Sequence, residues 1–170
     1  MPMTDVSPQP APGPSPLLDA GGQVDVTAAI SAFGRLEQSN TAVIKLVASQ
    51  LGLGVTDIRA LVYLSSHTEV TPKSLTEHVD LSTGATTSLI DRLDTAGYVR
   101  RVAHPTDRRS TLLELAPLGR TAVADVTQFY RVAFREALDP RFLDFVAAAL
   151  NSLSDSLRNR SGSGLDDVAS

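Results

Sequence analysis

The chain has 170 residues, 42% of them hydrophobic, a formal net charge of −4 and no cysteine. This is the ordinary composition of a single globular domain, and the missing cysteine excludes disulfide frameworks, cysteine–zinc fingers and thiol redox sensing. No apolar run approaches the roughly twenty residues that span a bilayer, and the N-terminus lacks a charged segment followed by an apolar one, so a cytoplasmic location and no membrane partner are expected.

Residues 1–22 hold Pro2, Pro8, Pro10, Pro12, Pro14 and Pro16 with Gly13, Gly21 and Gly22, a composition that cannot pack and predicts a disordered tail. Residues 160–170 read as a second flexible tail. Between them, apolar residues at Val26, Ile30, Phe33, Val43, Ile44, Val47 and Leu51 predict a long first helix within residues 23–52, with a stripe that falters around Glu37, Gln38 and Asn40. Residues 56–65 form the next helix and open a module spanning 53–116. Gly52 and Gly54 precede it, but no third glycine and no strand accompany them, which argues against a nucleotide loop. Thr71-Pro72-Lys73-Ser74 then caps a short helix through Val79, where Lys73 or the helix amides can touch phosphate.

Ser82 is the N-cap of the helix that matters most. Ala85, Leu89, Ile90, Leu93 and Ala96 form its expected buried stripe, and Gly97 closes it. The opposite face presents Thr83, Gly84, Thr86, Thr87, Ser88 and Asp91, with Arg92 one residue beyond, small polar groups on a rod slim enough for a DNA major groove. Two short runs of β-formers follow, 98–102 and 110–115, separated by His104-Pro105-Thr106-Asp107. They predict a hairpin with Arg108 and Arg109 at its tip, reaching for phosphate or a minor groove. Arg109 could instead pair with Asp91 or Asp107 and hold the hairpin on the helix. Arg100 and Arg101 alternate along a strand, so one of the two faces DNA. Five arginines against two aspartates between positions 92 and 109 leave +3, so the remainder carries −7. A basic window on an acidic body favours one docking orientation on DNA.

Helix followed by basic hairpin is a winged helix, and here the chain resembles the MarR family of winged-helix transcription regulators. The resemblance is carried by Leu89-Ile90-Asp91-Arg92-Leu93, by Ala96-Gly97-Tyr98-Val99-Arg100-Arg101, by Pro105-Thr106-Asp107-Arg108-Arg109 and by Leu118-Gly119-Arg120. It covers roughly residues 25–157. Where the family often has an arginine before the Leu-Ile-Asp-Arg-Leu run, this chain has Ser88, so one phosphate or guanine contact is missing. The family's thiol-based peroxide-sensing branch is ruled out by the absence of cysteine.

Residues 117–159 add two further helices. One runs from about Leu118 to Ala137 and carries Val123, Val126, Tyr130 and Phe134; another starts at Asp139-Pro140 and carries Phe142, Val146, Leu150, Leu153 and Leu157 on one face. Their apolar surface exceeds what a small module can cover, which predicts a dimerisation layer, as the resemblance also implies. The expected fold is mainly α with a small β-hairpin wing: a winged helix-turn-helix plus N- and C-terminal dimerisation helices.

The resemblance implies a homodimeric repressor on an inverted-repeat operator of double-stranded DNA, released by a small aromatic effector in a cleft lined by Phe33, Tyr63 and Tyr130. Plain core packing is the competing role for each of those rings. His67, His78 and His104 share no ligand spacing and no acidic cluster, so surface or capping roles are expected rather than a metal site, and no cofactor is implied. With no cysteine nucleophile, no Gly-x-Ser-x-Gly elbow and no phosphate loop, the chain is not expected to be an enzyme. The rival reading is a winged helix that binds protein and not specific DNA.

Overall fold

A computed structural model describes residues 25–107 and 110–163. The expectations for the proline-rich tail, for residues 164–170 and for Arg108 and Arg109 fall outside those residues, whereas residues 160–163, expected to open a flexible tail, instead continue the last helix to Ser163. Two compact units divide inside α1 (Thr27–Leu51), between Val43 and Ile44. The described part of the first unit is the leading stretch of that helix, where Ile30 and Leu36 are more than half exposed.

The second unit holds α2 (Val55–Ser66), α3 (Pro72–Val79), α4 (Thr83–Thr95), β1 (Val99–Ala103), β2 (Thr111–Leu115), α5 (Pro117–Ala137), a 3-10 turn at Pro140–Phe142 and α6 (Leu143–Ser163). Local chemistry sets most of the boundaries. Asp57 reaches back to the Gly54 amide at 2.8 Å and starts α2. Thr71 and Ser74 exchange side-chain and backbone bonds at the head of α3, with Pro72 in the position that has no amide to satisfy. Ser82 accepts the Ala85 amide at 3.3 Å and starts α4. That helix ends where Gly97 turns to φ +77°, with its amide bonded to the Asp94 carbonyl and the Tyr98 amide to that of Leu93. Asp139 accepts the Arg141 amide at 2.9 Å, so the expected last helix begins as a 3-10 turn before becoming α6 at Leu143.

The hairpin is antiparallel, with Val99 opposite Leu115, Arg101 opposite Leu113 and Ala103 opposite Thr111. The Leu113 amide also donates to the Val70 carbonyl at 2.8 Å, which ties β2 to the turn ahead of α3. Ala60, Leu61, Leu64, Val70, Leu75, Leu89, Ile90, Leu93, Val99, Leu113 and Ala122 form one continuous core beneath the module. Each fully buried Leu or Ile there stabilises by about 1.5–3 kcal/mol. A second cluster of Ile44, Val47, Ala48, Ile58 and Val126 joins the last turns of α1 to α2 and α5.

The buried stripe of α4 is Thr86, Leu89, Ile90 and Leu93, while Ala85 and Ala96 are exposed. This corrects the expected stripe. At about 100° per residue, the mean direction of Leu89, Ile90 and Leu93 passes within about 15° of Thr86 and nearly 90° from Ala85. Phase outweighs hydropathy here, because a threonine can bury its methyl group and satisfy its hydroxyl inside its own helix.

Candidate nucleic-acid interface

The α4 edge that looks outward carries Thr83, Gly84, Thr87 and Ser88, all exposed, with Ser82 exposed at the cap. The Thr87 hydroxyl donates to the Thr83 carbonyl at 2.9 Å and the Ser88 hydroxyl to the Gly84 carbonyl at 3.1 Å. Each hydroxyl thus spends its proton along the helix and turns oxygen lone pairs outward as acceptors. A Cβ built on Gly84 meets nothing within 4 Å, so another molecule could approach the backbone at that point. Lys73, exposed on the first turn of α3, borders the same shallow depression as Thr76, Glu77, Thr83 and Thr87. Among the described residues it has no ion-pair partner.

Thr86 does not belong to this surface. It is 1% exposed, and its hydroxyl donates to the Ser82 carbonyl at 3.1 Å. The expectation that it contacts DNA is corrected: Thr86 packs the helix onto the core.

The arginines are engaged with carboxylates. Arg92 meets the buried Asp57 at 2.5 Å, which places it toward α2. Arg100 lies beside its cross-strand neighbour Glu114, with Nε at 3.0 Å from the carboxylate. Arg101, on the other face of the strand, reaches Asp91 of α4 at 2.5 Å. That contact ties wing to helix, the role the sequence suggested for Arg109. Both wing pairs are exposed and are worth at most about 1 kcal/mol each. The register alone could have shown the Arg100–Glu114 pair, since a hairpin joining Ala103 to Thr111 puts residues 100 and 114 opposite each other. Asp57 was missed: its place three residues after Gly54 marks it as a helix-start residue, but nothing local signals its burial.

The three aromatic residues expected to line a cleft sit in different surroundings. Tyr63 packs on the module core, and its ring is stacked by His78 at a centroid distance of 4.0 Å and met by a tilted His67 ring at 4.1 Å. Tyr130 packs on the cluster of Ile44, Ile58 and Val126, where burial pushes its phenol above the usual range. Phe33 belongs to the other unit. His104 caps the turn at the wing, its Nδ1 accepting the Thr106 and Asp107 amides at 3.3 and 3.1 Å. No group of three or more metal-ligating side chains occurs among the described residues, and no single helix there is long and apolar enough to cross a membrane.

The model for the MarR family matches residues 51–110. YcgE of Bacillus subtilis (strain 168), described as an uncharacterized HTH-type transcriptional regulator, is 35% identical over 85 residues, which is 50% of this chain and 55% of that relative. The match therefore spans about half of the relative's own length. The crystal structure of RV1404 from Mycobacterium tuberculosis is similar with a TM-score of 0.60 at 25% identity, covering 79% of this chain and 95% of that one. A point mutant of MepR from S. aureus, bound to an oligodeoxyribonucleotide, shares the fold with a TM-score of 0.53 at 16% identity, covering 76% and 97%. The family match runs from the end of α1 through the capped α4 and the first strand of the hairpin, so over residues 51–110 this chain is similar to the MarR family of winged-helix regulators.

Proposed function

We propose that the protein is a homodimeric, sequence-specific DNA-binding transcription regulator, acting as a repressor and released by a small aromatic molecule. The observation that carries the reading is the exposed Thr83, Gly84, Thr87 and Ser88 edge of α4, backed by its buried stripe and flanked by Lys73. A rigid rod with small outward acceptors suits the amino groups of cytosine and adenine in the major groove. Lys73 and, by the family resemblance, Arg108 and Arg109 would supply the phosphate or minor-groove contacts.

Dimerisation draws support from α6. None of its described side chains is buried, and Phe145, Leu150, Leu153 and Leu157 are 73, 40, 42 and 49% exposed. A helix of that kind does not stand in water without a partner, and a two-fold pair would set two α4 helices about one DNA turn apart over an inverted repeat. The effector step rests on the resemblance to the MarR family, with Tyr63 and Tyr130 as candidate lining residues; displacement of bound duplex by small aromatic molecules is its direct test.

The experiment is selection of duplexes from a random pool by purified protein, followed by titration of the winner at several salt concentrations. An inverted repeat bound with affinity that falls steeply as salt rises is expected. Binding of all duplexes alike, or of none, would sink the reading and favour a protein partner.

A further inference from the structure

The arginine of the reading helix borders the outward edge but turns toward α2. At about 100° per residue, Arg92 sits roughly 40° around α4 from Ser88 and roughly 140° from Thr87, with its side chain 57% exposed and its guanidinium drawn to a buried carboxylate. Its Nη2 lies 2.5 Å from Oδ1 of Asp57, a residue only 2% exposed. The other carboxylate oxygen, Oδ2, accepts the Gly54 amide at 2.8 Å. Both oxygens of one buried carboxylate are therefore committed, one to the turn between α1 and α2 and one to α4. The turn is built tightly around it: Gly52 holds φ +65°, and a Cβ on Gly54 would meet Asp57 Oδ2 at 3.2 Å. Ile58, next along α2, packs with Ile44, Val47 and Ala48 of α1. A buried charge that loses its partner is strongly unfavourable, so α4 and the turn are constrained to move together.

We infer that Arg92 is a positioning residue. With Asp57 it locks α4 to the α1–α2 turn and sets the angle at which the Thr83–Ser88 edge meets a duplex, without touching phosphate itself. The inference rests on the DNA-reading assignment above and replaces the expectation that Arg92 contacts DNA.

The test uses the duplex selected by the full-length wild-type protein and an unrelated duplex of equal length. Arg92→Ala, Asp57→Asn and the double variant are titrated against both at several salt concentrations, after circular dichroism has established that each is folded at the binding temperature. Each single variant is expected to lose about tenfold in affinity for the selected duplex, a modest coupling between groups in contact. The double variant should lose no more. Affinity for the unrelated duplex, and the slope of log affinity against log salt, should stay at wild-type values. Asp57 cannot reach DNA, so a loss shared by the two residues reports position. A salt slope shallower by about 0.9 in Arg92→Ala, with loss on both duplexes, would make Arg92 a phosphate contact and overturn the inference. Additive losses, or none, would overturn it as well. Should Arg92→Ala fail to fold, Arg92→Gln takes its place: it keeps a donor for Asp57 and should leave the slope unchanged, whereas a phosphate contact would lose its share of the slope. A wild-type protein that selects no duplex defeats the DNA reading itself and is told apart from every outcome above.

Discussion

Replacing Gly119 by alanine should loosen the joint between the wing and α5. A Cβ at this position would stand 2.0 Å from the Tyr98 carbonyl oxygen and 3.1 Å from Leu115 Cδ2. Ordinary contact begins at 3.4 Å, so the first turn of α5 must retreat by more than 1 Å from the entry to β1. That carbonyl also accepts the Ala116 amide at 2.9 Å, so retreat strains a hydrogen bond worth about 1 kcal/mol. Overpacking adds about 1–3 kcal/mol, and the better helix propensity of alanine returns up to about 1 kcal/mol. The net loss is about 1–3 kcal/mol, which for a chain of this size lowers the melting temperature by roughly 3–10 °C. Thermal denaturation followed by circular dichroism reads it directly, with Gly84→Ala as the control. Gly84 has open space around it, so its alanine variant should gain up to about 1 kcal/mol. If Gly119→Ala melts at or above wild type, or if both glycine variants fall equally, the steric reasoning fails.

The same Gly84→Ala variant, though more stable, should bind the selected duplex more weakly, because the added methyl group stands where DNA would approach the backbone; unchanged affinity would show that the approach is not close. Thr87→Ala should change preference at particular base pairs by about 1–3 kcal/mol in a competition titration, whereas Thr86→Val, which keeps the buried volume, should leave base preference untouched. Phe145→Asp on α6 should shift the protein toward monomer in sedimentation velocity, and a wild-type protein that sediments as a monomer at all concentrations would remove the basis for this expectation. His78 is held below its ordinary 6.5 by partial burial first, then by the nearby His67 and Arg59. The unfolded chain therefore takes up that proton before the folded one, so this contribution is fully present above pH 6.5 and is lost as pH falls below it. Melting temperature should drop on acidification through that window, and His78→Gln should flatten part of the drop; identical pH profiles would refute it.

Much of the architecture was legible before any coordinates, because it is written in short-range chemistry. Ser82 as cap, Gly97 as terminator, Pro72 at a helix start and the turn from His104 to Asp107 each act within a few residues, and each stands where the sequence predicts. The candidate reading edge was legible in part, as a run of small polar residues on one helix. The partners of its neighbours were not. Asp57 and Arg92 are 35 residues apart, Asp91 and Arg101 belong to different elements, and the rings of His67 and His78, unrelated in spacing, meet on Tyr63.

By itself, then, the sequence determined the order and type of the elements, the caps that bound them and the basic window after the reading helix, because periodicity and capping act over one or two helical turns. Only the tertiary structure decided that Thr86 and not Ala85 turns inward, that Arg92 serves Asp57, and that none of the described side chains of α6 is fully buried. Periodicity says that a helix has a buried stripe; the elements that close around it choose which one, and which distant carboxylate a long cationic side chain finds.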